Sequence, residues 1–352
     1  MARSISLSSF VPTSTRAKRG SSIVAVAALA LAGAALLANR RAAKAERDNP
    51  ARGPFVTANG VRLHYVERGT GAPIVLLHGN GAMIDDMLIS GLVDHTAQSH
   101  RAIAFDRPGF GHTARPRGPS WDAAEQAALL PAAFARLGIE RPIVVGHSWG
   151  TLVALALALN HPEQVSGLVL ASGYYYPTLR ADSVLSVPVA SPWLGDLICH
   201  TAAPLLGEVM APGMIKKMFA PQDVTDRFHR EFPVGLTLRP SQIHAFSQDA
   251  AQMPSSAKAL SARYGELTCP LTVLAGDADE IVDFESQALR LHKELPSSTL
   301  DVFKGTGHML HHHDPARVVQ AVLRMEASAL SSKGVESHSS HQERSPLSSL
   351  PA

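Results

Sequence analysis

The chain has 352 residues, of which 45% are hydrophobic and 18% charged, so it can form one large domain or two small ones around a sizeable core. Residues 1–47 hold eight Lys/Arg and one acid, a balance of +7, whereas the remainder holds 24 bases and 29 acids, a balance of −5. A mildly acidic body argues against a nucleic-acid partner. The two cysteines, Cys199 and Cys269, exclude a disulfide framework, and their spacing is not that of a metal site.

The N-terminal segment, residues 1–54, is basic and contains an uncharged run of 17 residues at about 22–38. A helix of that length just reaches across a hydrocarbon core of roughly 30 Å. We therefore favour an uncleaved membrane anchor, with the membrane as a partner through a single N-terminal helix. Two alternatives stay open: a secretory signal cleaved near Ala43-Lys44-Ala45, which would leave a secreted or periplasmic protein, and an organellar transit peptide. Basic residues flank both ends of the run, so the sequence does not predict the side of the membrane.

The body of the chain alternates short apolar strands with helical segments. A hairpin is predicted first, from residues 55–58 and 61–68, turning at Asn59-Gly60. Further strands are predicted at 74–77, 102–105, 143–145, 165–171, 271–275 and 300–303, and helices at 122–137, 284–295 and 315–329. Wholly apolar strands are typical of a sheet covered on both faces. The pattern predicts an α/β fold with a mostly parallel sheet and helices on both faces.

One long insertion interrupts this alternation. Residues 174–266 contain no convincing buried strand, but they do contain helical patches at 204–210 and 213–219. We predict a helical lid over the carboxyl ends of the strands, where open α/β sheets bind ligands. The alternative is a structural side domain. The core is then residues 55–173 and 267–330, and the Ser-rich tail 331–352 is predicted to be disordered.

The strand at 143–145 leads directly into Gly146-His147-Ser148-Trp149-Gly150 and then into an apolar helix. Strand, Gly-x-Ser-x-Gly turn and helix, in that order, are typical of a nucleophile elbow, in which the serine Oγ is lifted clear of the sheet. Both glycines are expected because a Cβ two residues before or after the serine would clash. Backbone N–H groups at the start of the helix favour a negative oxygen nearby.

Four further motifs accompany this elbow in the chain, and together with it they resemble the α/β-hydrolase family over about residues 55–330. They are His78-Gly79-Asn80-Gly81, the turn Asp106 to Thr113, Gly276 to Val282, and Gly305-Thr306-Gly307-His308. The resemblance is to the serine-nucleophile, lid-containing esterase and haloperoxidase-like branch. It implies an eight-stranded-type sheet, the chain order Ser, Asp, His for the catalytic residues, and no cofactor.

The resemblance implies a catalytic triad of Ser148, Asp279 and His308. A serine hydroxyl needs a base to take its proton, and an imidazole can accept and return one. The carboxylate of Asp279 would hold the imidazole tautomer. The resemblance also implies an oxyanion hole formed by the backbone N–H groups of Asn80 and Trp149.

Four acids crowd the loop that supplies the triad carboxylate. Asp277 follows the strand so closely that we expect it to brace the turn, and Asp283 lies at a helix start, where a carboxylate suits the helix dipole. Glu280 departs from the family spacing, whereas Asp279 fits it. Asp106 is expected to brace its own turn rather than react.

Two other groups of side chains require an interpretation. Tyr174 and Tyr175 are predicted to bind substrate, with packing in the core as an equal alternative. The tract His311-His312-His313 resembles a metal-binding run, but we predict no metal because no acid or cysteine in the sequence visibly completes a ligand set.

The expected reaction is hydrolysis of a small, apolar, ester-like substrate through an acyl-enzyme. Asn80 and Trp149 are similar to the halide-binding pair of haloalkane dehalogenases, but those enzymes carry Asp where Ser148 stands, and a serine ether could not be cleared by water. The alternatives are hydrolysis of a C–C bond and cofactor-free perhydrolysis. A non-catalytic binding protein of the same fold is the alternative from another class, although such proteins usually lose part of the triad.

Overall fold

The computed structural model describes residues 14–118, 120–178 and 181–342. Within them, eight strands form one sheet in the order β1-β2-β4-β3-β5-β6-β7-β8. The strands are β1 (Phe55–Ala58), β2 (Val61–Arg68), β3 (Pro73–Leu77), β4 (Arg101–Phe105), β5 (Ile143–His147), β6 (Gly167–Ala171), β7 (Leu271–Gly276) and β8 (Thr299–Phe303). The β1–β2 and β2–β4 pairs are antiparallel and the other pairs are parallel, which confirms the predicted α/β fold.

Alternating side chains of the central strands enter two separate hydrophobic cores, one on each face of the sheet. In β5, Val144 packs in one core and Val145 in the other. The first core is covered by the helix that follows β5, and the second by the last helix, through residues such as Val318 and Val322. Cover on both faces explains why these strands are apolar throughout rather than alternating.

Helices occupy most of the remaining described chain. They are α1 (Ser14–Asp48), α2 (Ile84–Ile89), α3 (Leu92–Thr96), α4 (Ala123–Ala127), α5 (Leu130–Leu137), α6 (Trp149–Asn160), α7 (Ala181–Ala190), α8 (Pro192–His200), α9 (Ala202–Phe219), α10 (Asp226–Glu231), α11 (Val234–Thr237), α12 (Pro240–Ser261), α13 (Arg290–Glu294), α14 (Leu310–His313) and α15 (Pro315–Gln342). A π-helical turn, Glu285–Leu289, precedes α13.

The predicted strands agree with the observed ones to within about two residues, whereas several helices differ. The helix predicted at 122–137 is two helices, α4 and α5. The two patches predicted at 204–210 and 213–219 are one continuous helix, α9, which contains Pro212 in its interior. A proline removes one backbone hydrogen bond and usually kinks a helix. Here α9 continues past it, and it packs against α8 and α12.

Helices α7 to α12 lie between β6 and β7, in the insertion that the sequence predicts to be a lid. The longest of them, α12, packs against α7, α8 and α9 on one side and against α6 of the core on the other. The insertion is therefore a helical layer joined to the core through α12. Its role as a lid stays a prediction.

The N-terminal helix α1 is longer than the predicted apolar run and continues through the basic residues to Asp48. Its last turns pack on the rest of the molecule, where Ala45 is buried together with Met83 and Leu236. Two ion pairs reinforce this contact, Arg41 to Glu208 of α9 at 2.6 Å and Glu46 to Arg239 at 2.9 Å. The basic end of α1 is thus part of the folded body.

Removing α1 should therefore reduce the stability of the body. A chain that begins at Arg52 lacks Ala45 and Glu46, which exposes Leu236 and leaves the buried Arg239 without its carboxylate. We expect a free energy of unfolding lower by roughly 1–3 kcal/mol than in a matched chain that begins at Asn39 and keeps both contacts. Urea denaturation of the two chains measures the difference, and equal midpoints would show that the contact contributes nothing.

The C-terminal helix differs from the prediction of a disordered tail from residue 331. Helix α15 continues through that point to Gln342, while residues 343–352 lie outside the described residues. Adding a residue to an existing helix costs little, and no proline occurs between Pro315 and Pro346 to stop it.

Candidate active site

Ser148 alone joins β5 to α6, with φ 51° and ψ −119°, a backbone conformation that side-chain-bearing residues rarely adopt. A Cβ on Gly146 would lie 2.7 Å from the carbonyl oxygen of Gly150. One on Gly150 would lie 2.2 Å from the carbonyl oxygen of Leu77 in β3. Both positions therefore require glycine, as the sequence predicts. Strain of this kind typically costs about 1–3 kcal/mol and is maintained only where the surrounding structure enforces it.

The loop after β3, residues 78–81, runs directly over the serine. A Cβ on Gly79 would lie 3.0 Å from the Cβ of Ser148. The side chain of Asn80 is engaged away from the serine, because its Nδ2 donates to the carbonyl of Phe246 in α12 at 3.1 Å and its Oδ1 accepts from Gly81 N–H at 3.1 Å. Any contact of Asn80 with a substrate oxygen therefore depends on its backbone N–H. Trp149 is fully buried and is the first residue of α6.

His308 and Asp279 form a buried hydrogen bond, Nδ1 to Oδ2, at 2.8 Å, with side chains 4% and 2% exposed. The other carboxylate oxygen of Asp279 accepts the N–H groups of Ile281 at 2.7 Å and Val282 at 2.9 Å. Three donors thus hold this carboxylate in one orientation. The ring of His308 lies 5.0 Å, between centroids, from the ring of His147, the residue before the serine.

The other acids of the same loop have different partners. Asp277 Oδ1 accepts Gly305 N–H at 2.6 Å, so it braces the histidine loop as expected. Asp283 Oδ1 accepts Ser286 N–H at 2.8 Å at the start of the following turn, and these Ser286 hydrogen bonds lower the pKa of Asp283. Glu280 is exposed. Asp279 is thus the member of the group that contacts His308.

Arg107 is a supporting residue to which the sequence analysis assigned no role. Its buried guanidinium donates to the carbonyls of His78 at 2.9 Å and Gly79 at 3.0 Å, and to Asp249 of α12 at 2.6 Å. Burial lowers its pKa to about 10, so it remains charged at neutral pH. One buried cation therefore joins the loop over the serine to the helical layer. Positions 107 and 249 carry no sequence signal that pairs them.

His78 supports the same loop as a neutral imidazole. Burial, and then the charge of Arg107, lower its pKa to about 4. Its Nδ1 donates to the carbonyl of Gly79 at 2.8 Å, and its Nε2 accepts the backbone N–H of Arg107 at 3.0 Å. Both ring nitrogens are therefore used in fixing the backbone of the loop.

Replacing Arg107 with methionine should destabilise the protein strongly. The change leaves the carbonyls of His78 and Gly79 without this donor and Asp249 without one of its cations, in a region closed to water. We expect a loss of about 3–5 kcal/mol in the free energy of unfolding. The matched change Arg68→Met removes an exposed ion pair and should cost less than about 1 kcal/mol. Equal losses in urea denaturation would contradict a supporting role for Arg107.

Asp106 braces its turn, as expected. Its buried carboxylate accepts Ile84 N–H at 2.8 Å and His112 N–H at 2.9 Å and contacts His64 Nδ1 at 2.6 Å. A Cβ on Gly111 would lie 2.1 Å from Asp106 Oδ2, so the carboxylate also occupies the space beside this glycine.

The expectation that no acid accompanies the histidine tract is wrong. The buried carboxylate of Asp86 contacts Nε2 of His311 at 3.0 Å and Nε2 of His312 at 2.7 Å. Burial alone would raise the pKa of Asp86, but the two imidazoles hold it well below its usual range. The ligand atoms of the three residues lie within 4.8 Å of one another, yet each histidine already has a carboxylate oxygen as its partner. The absence of a metal stays a prediction.

Tyr174 and Tyr175, predicted to bind substrate, are 2% and 0% exposed and pack in the hydrophobic core. The Tyr174 hydroxyl lies 3.1 Å from Oγ1 of Thr178, and the Tyr175 hydroxyl donates to the carbonyl of Leu170 at 3.4 Å. Neither lines the two cavities described below. The structure therefore corrects the substrate-binding prediction in favour of core packing, because the core leaves both side chains almost no exposed surface.

An apolar cavity of about 220 Å³ lies under α9, against the loop that runs over the serine. Its wall includes Asn80 and Gly81 of the loop over the serine and Met309, which follows His308. Apolar side chains of the helical layer complete the wall: Ala203, Ala211, Met214, Ile215, Met218, Phe228, Phe232, Val234, Leu238, Ile243 and Phe246. A small apolar cavity next to a few polar groups is the usual form of a binding site for an apolar molecule.

A larger cavity, of about 840 Å³, lies between the Asp106–Thr113 turn and helices α8 and α12. Ser148, Asp279 and His308 are among the lining residues of neither cavity, but Asn80 and Gly81 of the loop over the serine line only the smaller one of the two. The arginines of the larger cavity all have carboxylate partners: Arg117 contacts Asp196 at 2.7 Å, Arg239 contacts Glu46 at 2.9 Å and Arg115 contacts Asp249 at 2.7 Å. The smaller cavity is therefore the better candidate for a substrate.

A family model described as the alpha/beta hydrolase family matches residues 74–321, well over half of the chain. The chain belongs to the α/β-hydrolase family. Similar proteins of this family are hydrolytic enzymes by name, which argues against the alternative of a non-catalytic binding protein.

Two relatives of this hydrolase show the range of chemistry in the family. Haloalkane dehalogenase 2 of Mycobacterium bovis is 33% identical over 116 residues, which is 33% of this chain and 40% of the relative, so the match spans less than half of that dehalogenase. 2-Hydroxymuconate semialdehyde hydrolase of Pseudomonas putida is 26% identical over 304 residues, 82% of this chain and 99% of the relative.

Among solved structures, the hydrolase is similar to a bacterial membrane phospholipase A. The TM-score is 0.60 at 20% identity, and the match covers 89% of this chain and 98% of the other. At this identity the likeness shows the fold.

Proposed function

We propose that this hydrolase cleaves esters of apolar acyl groups through an acyl-enzyme on Ser148. His308 is the general base, and the carboxylate of Asp279 is the hydrogen-bond partner that orients His308. The observation that carries the proposal is the buried His308–Asp279 hydrogen bond beside a strained serine elbow. A neutral imidazole held by a carboxylate is the arrangement that a serine nucleophile needs.

In the proposed reaction, Nε2 of His308 takes the proton of Ser148 Oγ as the oxygen attacks the ester carbonyl carbon. The negative oxygen of the tetrahedral intermediate accepts hydrogen bonds from the backbone N–H groups of Asn80 and Trp149. The intermediate collapses, the C–O bond to the alcohol breaks, and His308 gives its proton to the departing alcohol. Water then attacks the acyl-enzyme by the same route, which releases the acid and restores Ser148.

The proposed substrate is apolar because the 220 Å³ cavity is. The only charged residue among its lining residues is Asp86, whose carboxylate is already occupied by two histidines. A carboxylate on the substrate would find no cation in this wall. Dehalogenation is not proposed, since the nucleophile is Ser148 and its ether product would be stable.

A second candidate is hydrolysis of a C–C bond in a diketone-like substrate. It is supported by the similarity to 2-hydroxymuconate semialdehyde hydrolase, which extends along 82% of this chain. The lining residues of the 220 Å³ cavity include no cation that would bind a carboxylate on such a substrate, and this favours the ester. Parallel assays with an acyl ester and with a diketone distinguish the two.

We also propose that α1 is a retained membrane anchor rather than a cleaved signal. An 18-residue window of its segment Ala25–Asp48 has a mean hydropathy of 1.3 and is 6% buried, so by length and composition the helix can cross a bilayer. Cleavage after Ala45 would remove the residue that packs on Met83 and Leu236. It would also remove Arg41, whose contact with Glu208 of the helical layer favours retention of the helix.

A fluorophosphonate probe tests the proposed nucleophile directly. It should phosphonylate Ser148, and peptide mass spectrometry should find the adduct on that residue. Prior incubation with an ester substrate should slow the labelling. An adduct on another serine, with Ser148 unmodified, would contradict the proposal that Ser148 is the nucleophile.

A further inference from the structure

Exposed large hydrophobic side chains are concentrated in one part of the described chain. Of the seventeen, sixteen belong to α1 or to helices α7, α8 and α9, and the remaining one is Leu323 of α15. The most exposed in the helical layer are Trp193 at 87%, Val209 at 79% and Leu185 at 74%. Exposed apolar side chains gathered on helices that pack against one another indicate a contact with another apolar phase.

Helix α9 is apolar on two sides. Leu206, Val209 and Met210, spaced three and four residues apart, form an exposed stripe. Gly207 and Ala211 of the same helix line the 220 Å³ cavity. One helix thus separates the outer apolar face from the candidate substrate cavity.

The position of α1 indicates what covers this face. The apolar run of α1 ends at Arg40 and Arg41, which would lie at the headgroup level of a membrane that α1 crosses. Arg41 contacts Glu208 of α9 at 2.6 Å, so α9 lies at the same level. Exposed Lys216 and Lys217 at the end of α9 add positive charge suited to anionic headgroups.

We propose that the face formed by α7, α8 and α9 docks on the lipid bilayer, with Trp193, Leu185 and Val209 inserted among the acyl chains. The docking rests on the proposed anchor, and the substrate class that it implies rests on the proposed ester hydrolysis. Docking brings the wall of the apolar cavity to the membrane, so the substrate class it implies is an ester whose acyl chain comes from the bilayer. Aromatic and aliphatic side chains beside cationic ones are the usual composition of such a face.

Trp193 provides an intrinsic probe of the docking. The chain has three tryptophans, and the other two, Trp121 and Trp149, are buried. The full-length protein is reconstituted in vesicles of zwitterionic and anionic lipids brominated on their acyl chains. Bromine should quench a large part of the fluorescence relative to unbrominated vesicles, and Trp193→Phe should abolish that loss. Retention on the vesicles without quenching would overturn the docking, whereas failure to bind vesicles at all would overturn the anchor together with it.

A charged variant tests whether docking serves the reaction. The double change Leu185→Glu and Val209→Glu should weaken quenching of Trp193 and lower hydrolysis of vesicle-borne esters by about tenfold or more, with hydrolysis of a water-soluble ester unchanged. Leu323→Glu, on the remaining exposed leucine, is the matched control and should change neither. Loss of both activities in the double variant would overturn the proposal. A dimer in detergent that the double variant dissociates, with Trp193 unquenched by brominated lipid, would show that a second copy of the chain covers the face instead.

Discussion

Replacing Ser148 with alanine should lower kcat by about 10⁴–10⁶, because the proposed nucleophile is removed. Only the proposed oxyanion hole would then assist the attack of water on the ester. The fold should be kept, since alanine occupies the space of the serine Cβ. Single-turnover and steady-state rates on a chromogenic acyl ester measure the loss. The control is Ser255→Ala, at an exposed serine of α12, which should match wild type.

A second change at the same position separates strain from chemistry. Ser148→Gly also removes the nucleophile, but glycine adopts φ 51° without strain. It should be inactive and more stable than Ser148→Ala by about 1 kcal/mol. Wild-type turnover in either variant would show that Ser148 is not the nucleophile. Lower stability of the glycine variant would show that the elbow holds no strain.

Replacing Asp279 with asparagine should lower kcat by about 10⁴ while the protein remains folded. The asparagine Oδ1 can still accept the N–H groups of Ile281 and Val282, so the loop is preserved. Its amide would donate to Nδ1 of His308, where the carboxylate accepted. The imidazole would then carry its proton on Nε2, the proposed base atom, and could not act as the base.

Asp277→Asn is the matched control for that change. The asparagine can still accept Gly305 N–H, and the ion pair that is lost, to the largely exposed Lys304, is weak. We expect kcat near wild type and a change in the free energy of unfolding of less than about 1 kcal/mol. Measuring kcat and Tm for both variants decides the assignment. A large loss of kcat in Asp277→Asn, with Asp279→Asn near wild type, would exchange the two roles.

The elements that the sequence predicted well are those whose causes are local. Apolar runs such as residues 74–77 and 271–275 became central strands, since a strand covered on both faces has no polar side. Gly146 and Gly150 predicted the elbow because their need for small size arises within five residues. Asp277 could be separated from Asp279 by its closeness to the end of β7, although only the structure showed which carboxylate contacts His308.

The supporting interactions could not be predicted in the same way. Arg107 and Asp249 are 142 residues apart, and Asp86 joins His311 and His312 across more than 220, so no local pattern relates them. Their contacts arise because buried charges must find partners wherever the packed elements bring them.

The sequence by itself therefore determined the sheet, the elbow and the order of the candidate triad. Backbone sterics and the periodicity of apolar side chains act over only a few residues. The tertiary structure decided that Tyr174 and Tyr175 pack in the core and that α9 continues past Pro212. It also decided that the end of α1 joins the helical layer. Each of these outcomes depends on which distant surface covers the residue, and the neighbouring sequence does not show which surface that is.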